Sequence, residues 1–187
     1  MTNILVNLDH EILLLLIQEE SHGRAIAKKL KTNLASAQNH LLKLGKLNVV
    51  DFKIIGRNKM YFIKNSLAAK RYVFNSENYK ILKLVSHHPF LEPLINDIIS
   101  KTSGITIIFG SYAKFTAKKD SDIDVFVESK DKDLKKELES LNSMLSIQMG
   151  RFDTNSLLVR EIIKNHIILK GAEEYYDRIG FFGKTEK

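Results

Sequence analysis

The sequence contains no cysteine. Disulfides and thiolate metal sites are therefore excluded. It also lacks a long hydrophobic run. The most apolar stretch, Ile12–Ile17, is far shorter than the ~18 residues a membrane-spanning helix needs, and it reads as the centre of one helix. The first residues show no secretory pattern, so a cytoplasmic location is expected, with no membrane partner. Proline is scarce: the two in the chain, Pro89 and Pro93, fall together and mark the start of a helix running to about Lys101. There is no internal repeat or low-complexity stretch. Six histidines are scattered, and His87-His88 beside Pro89 reads as a linker rather than a metal site. What remains is ordinary for a globular protein: 187 residues, 44% hydrophobic and 27% charged, enough for one or two small domains.

Acidic residues are missing from one region in particular. Residues 21–64 hold ten Lys and Arg but a single acid, Asp51. Residues 1–103 carry 15 basic against 8 acidic groups, and residues 104–187 carry 14 of each, so the net charge of +7 belongs to the N-terminal part. Such a cluster is the electrostatic footprint of nucleic-acid binding; a protein-contact domain is the alternative.

The N-terminal pattern is helical, then extended. Asp9–Glu20 reads as a first helix capped by Asp9, with Ile12, Leu13, Leu16 and Ile17 inward. Ser21-His22-Gly23 breaks the chain. Arg24–Lys31 is a short second helix. Thr32 or Asn33 caps a third, on which Leu34, Ala37, Leu41 and Leu44 face inward and which Gly45 ends. Val49–Ile55 and Met60–Lys64 form two strands joined by Gly56-Arg57-Asn58-Lys59. Residues 66–86 have helical periodicity interrupted at Asn75-Ser76 and Asn78. Their apolar faces suit packing within the chain or pairing of two protomers in a homodimer, packing being preferred.

Residues 110–127, GSYAKFTAKKDSDIDVFV, carry the chemistry. A buried strand, Ile105–Phe109, ends at Gly110, whose flexibility allows a sharp turn. Ser111 opens a helix whose free amides can hold a phosphate. After ten intervening residues Asp122-Ile123-Asp124 sits in an alternating strand, which places both carboxylates on one face. Such a pair repels unless a cation lies between, and hard oxygen ligands suit Mg²⁺ with substrate phosphates. Lys114, Lys118 and Lys119 could assist, although loop solubility explains at least two of them. The competing reading is a solvated acidic turn, which leaves the strand before Gly110 and the embedded acids unexplained. A polar helix, Asp131–Met144, follows. Then come a strand from Leu145 to Asp153, a helix Leu157–Asn165, an apolar segment closed by Gly171, and a last helix in which Tyr175 and Tyr176 pack.

The Gly110-Ser111, ten-residue, Asp122-x-Asp124 pattern resembles minimal nucleotidyltransferases of the DNA polymerase beta superfamily. The likeness covers about residues 103–182. It implies that Ser111 helps hold a nucleoside triphosphate, ATP first, that Asp122 and Asp124 bind Mg²⁺, and that a nucleoside monophosphate passes to a hydroxyl. It also implies a third acid on a later strand. Asp153 is the one acid there, and it is equally suited to a turn or helix cap; with Gln148 in the third position, the site is incomplete. The spacing is also similar to antitoxins that adenylylate a partner toxin, which implies a protein acceptor. Residues 7–65 resemble a winged helix-turn-helix domain of microbial transcription regulators. By that likeness Ser36, Asn39, His40 and Lys43 on the third helix, and Arg57, Asn58 and Lys59 on the wing, contact DNA. The expected fold is α+β: a winged helix-turn-helix domain over 1–65, a helical connector over 66–102, and a small mixed-sheet transferase domain with flanking helices over 103–187. Two functions are expected to compete, an Mg²⁺-dependent nucleotidyltransferase and a DNA-binding regulator whose transferase domain senses nucleotide or is inactive.

Overall fold

A computed structural model describes residues 7–183; the tail Lys184–Lys187, expected to fray, lies outside the described residues. The chain divides into two compact units, with the change-over between Tyr79 and Lys80.

The N-terminal unit begins with α1 (Leu8–Gln18), α2 (Gly23–Lys29) and α3 (Leu34–Lys46). Its core is formed by Ile12, Leu13, Leu16, Ile26, Ala37, Leu41, Leu44, Val49 and Val50, at the inward spacing expected of these helices. Asn7, not Asp9, caps α1 by accepting from the Asp9 amide. Asp9 is released for another task and is buried. The expected break at Ser21-His22 is a short strand, β1 (Ser21–His22), paired with β3 (Asn58–Ile63). β3 in turn pairs with β2 (Val50–Ile55) in register from Val50↔Ile63 to Ile55↔Asn58, which leaves Gly56 and Arg57 as a two-residue turn. Helix α3 does not stop at Gly45. It continues to Lys46, and Asn48, at φ 59°, supplies the left-handed residue that ends it; asparagine tolerates that conformation. Three helices and a three-stranded sheet of order β1-β3-β2 make a winged helix-turn-helix arrangement.

Helix α4 (Leu67–His87) runs without interruption. The expected break at Ser76 fails because its hydroxyl donates back to the Tyr72 carbonyl at 2.8 Å, so the polar side chain is satisfied inside the helix.

The second unit contains α5 (Leu91–Lys101), β4 (Thr106–Ile108), α6 (Gly110–Ala113), β5 (Ile123–Glu128), α7 (Lys132–Leu141), β6 (Leu145–Gly150), α8 (Leu157–Lys164), β7 (Ile167–Lys170) and α9 (Ala172–Arg178). The sheet has order β6-β5-β4-β7 and is mixed: β5 and β6 are parallel, while β4 is antiparallel to both its neighbours. Ile108, Ile123, Val125, Val127, Ile147 and Ile167 pack with Leu91, Ile95 and Ile98 of α5 and with Leu138 of α7. Tyr175 and Tyr176 are fully buried, as packing residues should be. Gly171, at φ +79°, passes so close to Gly104 and Ile105 that a Cβ would lie 3.0 Å from their backbone. No helix among the described residues is long and apolar enough to cross a membrane.

Candidate nucleotide and metal site

The central strands build the site. β4 and β5 pair up to Ile108↔Val125, and the Phe109 amide then donates to the Asp124 carbonyl at 2.9 Å. This brings the turn at Gly110 against the Asp124 side chain. A Cβ on Gly110 would lie 2.1 Å from Asp124 Oδ2, and the residue has φ +68°; both facts demand glycine. Ser111 follows on the first turn of α6, half-buried. The loop behind it folds back, with the Lys114 amide on the Gly110 carbonyl and the Thr116 amide on the Ser111 carbonyl.

Asp122 lies just before β5 and is exposed; Asp124 is half-buried. Burial raises the Asp124 pKa above its usual 3.8, and the neighbouring Asp122 charge raises it further, while a hydrogen bond from Ser146 works against both. No Lys, Arg or His among the described residues forms an ion pair with either carboxylate. Two acids held together without a counter-cation form a donor set that fits Mg²⁺ with substrate phosphates.

The structure does not bring Asp153 to this pair. β5 and β6 run parallel from Ile123↔Leu145 to Glu128↔Gly150, so Asp153 lies beyond the opposite end of β5 from Asp122. Five strand steps at about 3.3 Å each separate the two ends of β5, roughly 17 Å. Its segment is anchored there by the Phe152 amide, which donates to Glu128 Oε1 at 3.0 Å. Asp153 Oδ1 accepts from the Asn155 amide at 2.9 Å, the turn role that competed with metal binding. No three acidic or histidine side chains among the described residues form a group that could hold a metal ion. On β6 the residues level with the Asp124 face are Ser146, its register partner, and Gln148, opposite Phe126. Both are neutral. Ser146 was missed in the sequence because its importance depends on a strand register that periodicity alone does not give.

The residues expected to contact DNA divide into two groups. Asp9, buried on α1, accepts from His40 Nδ1 at 2.6 Å and from Lys43 Nζ at 2.5 Å. Burial pushes the Asp9 pKa up, but the hydrogen bonds and charges of Lys43 and His40 outweigh this and hold it below 3.8. His40 and Lys43 therefore tie α3 to α1. Ser36 is half-buried in the first turn, and its amide donates to the Asn33 cap. Asn39 is exposed, in one stripe with Gln38, Leu42 and Lys46. Of this stripe the sequence pointed only to Asn39; it borders a cavity of about 390 Å³ shared with Phe52, Lys59, Tyr61 and Lys64. On the wing, Arg57 occupies the turn and Asn58 opens β3. The Lys59 ammonium lies 4.1 Å from the centre of the Phe52 ring.

Residues 94–175 match the family model described as polymerase beta, nucleotidyltransferase. Nothing matches among curated proteins. Among solved structures, the chain is similar to the adhesin competence repressor AdcR of Streptococcus pyogenes, at 20% identity over 55% of this chain and 71% of that one, TM-score 0.36. It is similar to ZitR of Lactococcus lactis at 20% identity, 54% and 72% coverage, TM-score 0.40. A toxin-antitoxin structure with AMP-PNP is 23% identical, with 56% and 89% coverage and TM-score 0.30. These likenesses are partial ones of shape.

Proposed function

We propose that the chain is an Mg²⁺-dependent nucleotidyltransferase that transfers a nucleoside monophosphate, AMP first, to a hydroxyl acceptor, and that its N-terminal unit binds DNA. The observation that carries this reading is the uncompensated Asp122–Asp124 pair, set against a turn whose left-handed backbone and close approach favour glycine. Mg²⁺ held by the two carboxylates would supply the charge that stabilises the entering and leaving oxygens of an in-line displacement. Asp122 and Asp124 would hold the site in register, one on each side of Ile123. Gly110 would let the triphosphate approach the backbone, and Ser111 would hold its terminal phosphates. Most of the rate would come from positioning and charge stabilisation. Asp153 has no part in this reading.

A second reading has a specific observation in its favour. With Ser146 and Gln148 level with Asp124, no third carboxylate among the described residues joins the pair, and the domain would bind nucleotide to regulate the DNA-binding unit. α-labelled ATP added with the purified protein to a cell extract separates the two. Transfer predicts label on a macromolecule, dependent on Mg²⁺ and absent with Asp122→Ala/Asp124→Ala. Intact Mg-ATP binding without any labelling selects the sensing role. A protein acceptor, in the manner of an antitoxin, would show as label on a polypeptide.

A further inference from the structure

The two sheets present four outer strands, and these differ in how they are protected. In the N-terminal unit β1 is two residues long. β2 carries Lys53, paired with Glu20, and the Asp51 carboxylate accepts from the Phe52 amide at 2.8 Å. In the second unit β7 has four residues and ends in Lys170. Short length and charge are the usual means of keeping a sheet edge from pairing with another chain. β6 has neither. Its six residues, Leu145–Gly150, hold no charge and no proline, and no bulge interrupts its register with β5. The uncharged run begins earlier, at Ser140. No strand among the described residues pairs with the other side of β6, which leaves a row of backbone donors and acceptors open to an incoming strand.

Gly150 is an independent sign. Glycine weakens a strand unless a turn, a bulge or the close approach of another backbone calls for it. The Gly150 backbone is not left-handed, and a Cβ there would meet nothing within 4 Å, so this chain's own fold does not require glycine. A backbone approaching from outside would. Charge indicates what that backbone belongs to. Residues 104–187 hold 14 basic and 14 acidic groups, so two copies of the second unit approach without net repulsion, unlike two copies of the basic N-terminal part. α7, packed against β6, carries three lysines and three acids, a mixture complementary to itself. Leu134, Leu141, Met144 and Met149 pack on the core yet stay partly exposed, which adds apolar surface. A neutral edge beside balanced charge selects neither an acidic nor a basic partner; it suits an identical strand.

We propose that β6 is a self-association edge: the β6 strands of two copies pair antiparallel about a two-fold axis near Gln148 and join two four-stranded sheets into one of eight. Such a pair makes the same contacts from both sides. It also supplies the two DNA-binding units that a two-fold symmetric operator needs under the proposed function. The pairing strand carries Ser146, the register partner of Asp124, so the interface lies one strand away from the acid pair.

Sedimentation equilibrium of the full chain over a range of concentrations tests this, with thermal unfolding of each variant as a check on folding. Gln148 is exposed, so Gln148→Lys and Gln148→Glu keep the fold and set like charges across the axis. The expected results are a dimer in the wild type, about fivefold weaker association in each variant alone, and recovery when the two are mixed in equal amounts. Gly150→Val has open space for its side chain within one copy and is expected to weaken association further by crowding the partner backbone. A wild type that stays monomeric overturns the proposal and leaves the edge to a different strand. A dimer that every variant keeps at wild-type strength overturns it as well and places the contact elsewhere. Weakening by Gln148→Lys and Gln148→Glu that mixing does not relieve also overturns it, because two copies facing each other at residue 148 must exchange repulsion for attraction.

Discussion

Asp124 carries its charge against both its burial and the charge of Asp122. A carboxyl whose folded pKa lies above the unfolded 3.8 takes up protons on folding, so its charge destabilises the folded state above that range, and the effect fades as pH falls through the raised pKa toward 3.8. Asp124→Asn is therefore expected to raise the unfolding temperature of the metal-free protein at neutral pH, with the gain shrinking near pH 4. Thermal unfolding across pH checks this; an equal gain at both pH values would assign the effect to packing. Gly110 is the complementary case. Gly110→Ala places a methyl group 2.1 Å from Asp124 Oδ2 on a backbone at φ +68°. The backbone conformation alone is expected to cost about 1–3 kcal/mol, measurable by denaturant unfolding. The sequence already marked Gly110, Ser111, Asp122 and Asp124, because a turn glycine after an apolar strand and a two-residue acid spacing are local patterns. Asp153 misled for the opposite reason. Its place is decided by the parallel register of β5 and β6, which neither residue announces.

Helix α3 shows the same lesson at the next scale. Its inward face was legible from the spacing of Ala37, Leu41 and Leu44. The outward face was legible at Asn39 but not at His40, because Asn7 takes the cap of α1 and frees Asp9 to bind His40 and Lys43. The open stripe is thereby rotated to Gln38, Asn39, Leu42 and Lys46. If this stripe faces DNA, Lys46→Ala weakens binding across sequences and reduces the slope of log affinity against log salt by about one. Lys43→Ala is expected to lower the unfolding temperature by releasing Asp9. Salt-dependent binding and melting curves on the two variants check the assignment, and a salt-slope change confined to Lys43→Ala would reverse it. The uninterrupted α4 was partly hidden for a similar reason: Asn75 and Ser76 look like breakers until the Ser76 hydroxyl finds the Tyr72 carbonyl.

At the scale of the whole chain, charge and chemistry are segregated. The positive excess lies in the winged helix-turn-helix part and the acid pair in the mixed-sheet part. Both fold types were readable from periodicity, turn residues and one motif, while the strand order β6-β5-β4-β7 was not, since long-range pairing leaves no local trace. In the proposed function, Asp122 and Asp124 hold a nucleotide through Mg²⁺. Calorimetric titration of ATP into the full chain, with and without Mg²⁺, tests it most directly when repeated on Asp122→Ala/Asp124→Ala. Binding that requires the metal and disappears in the double variant is expected. Binding that persists without Mg²⁺ or in the variant, or no binding by the wild type, would contradict it.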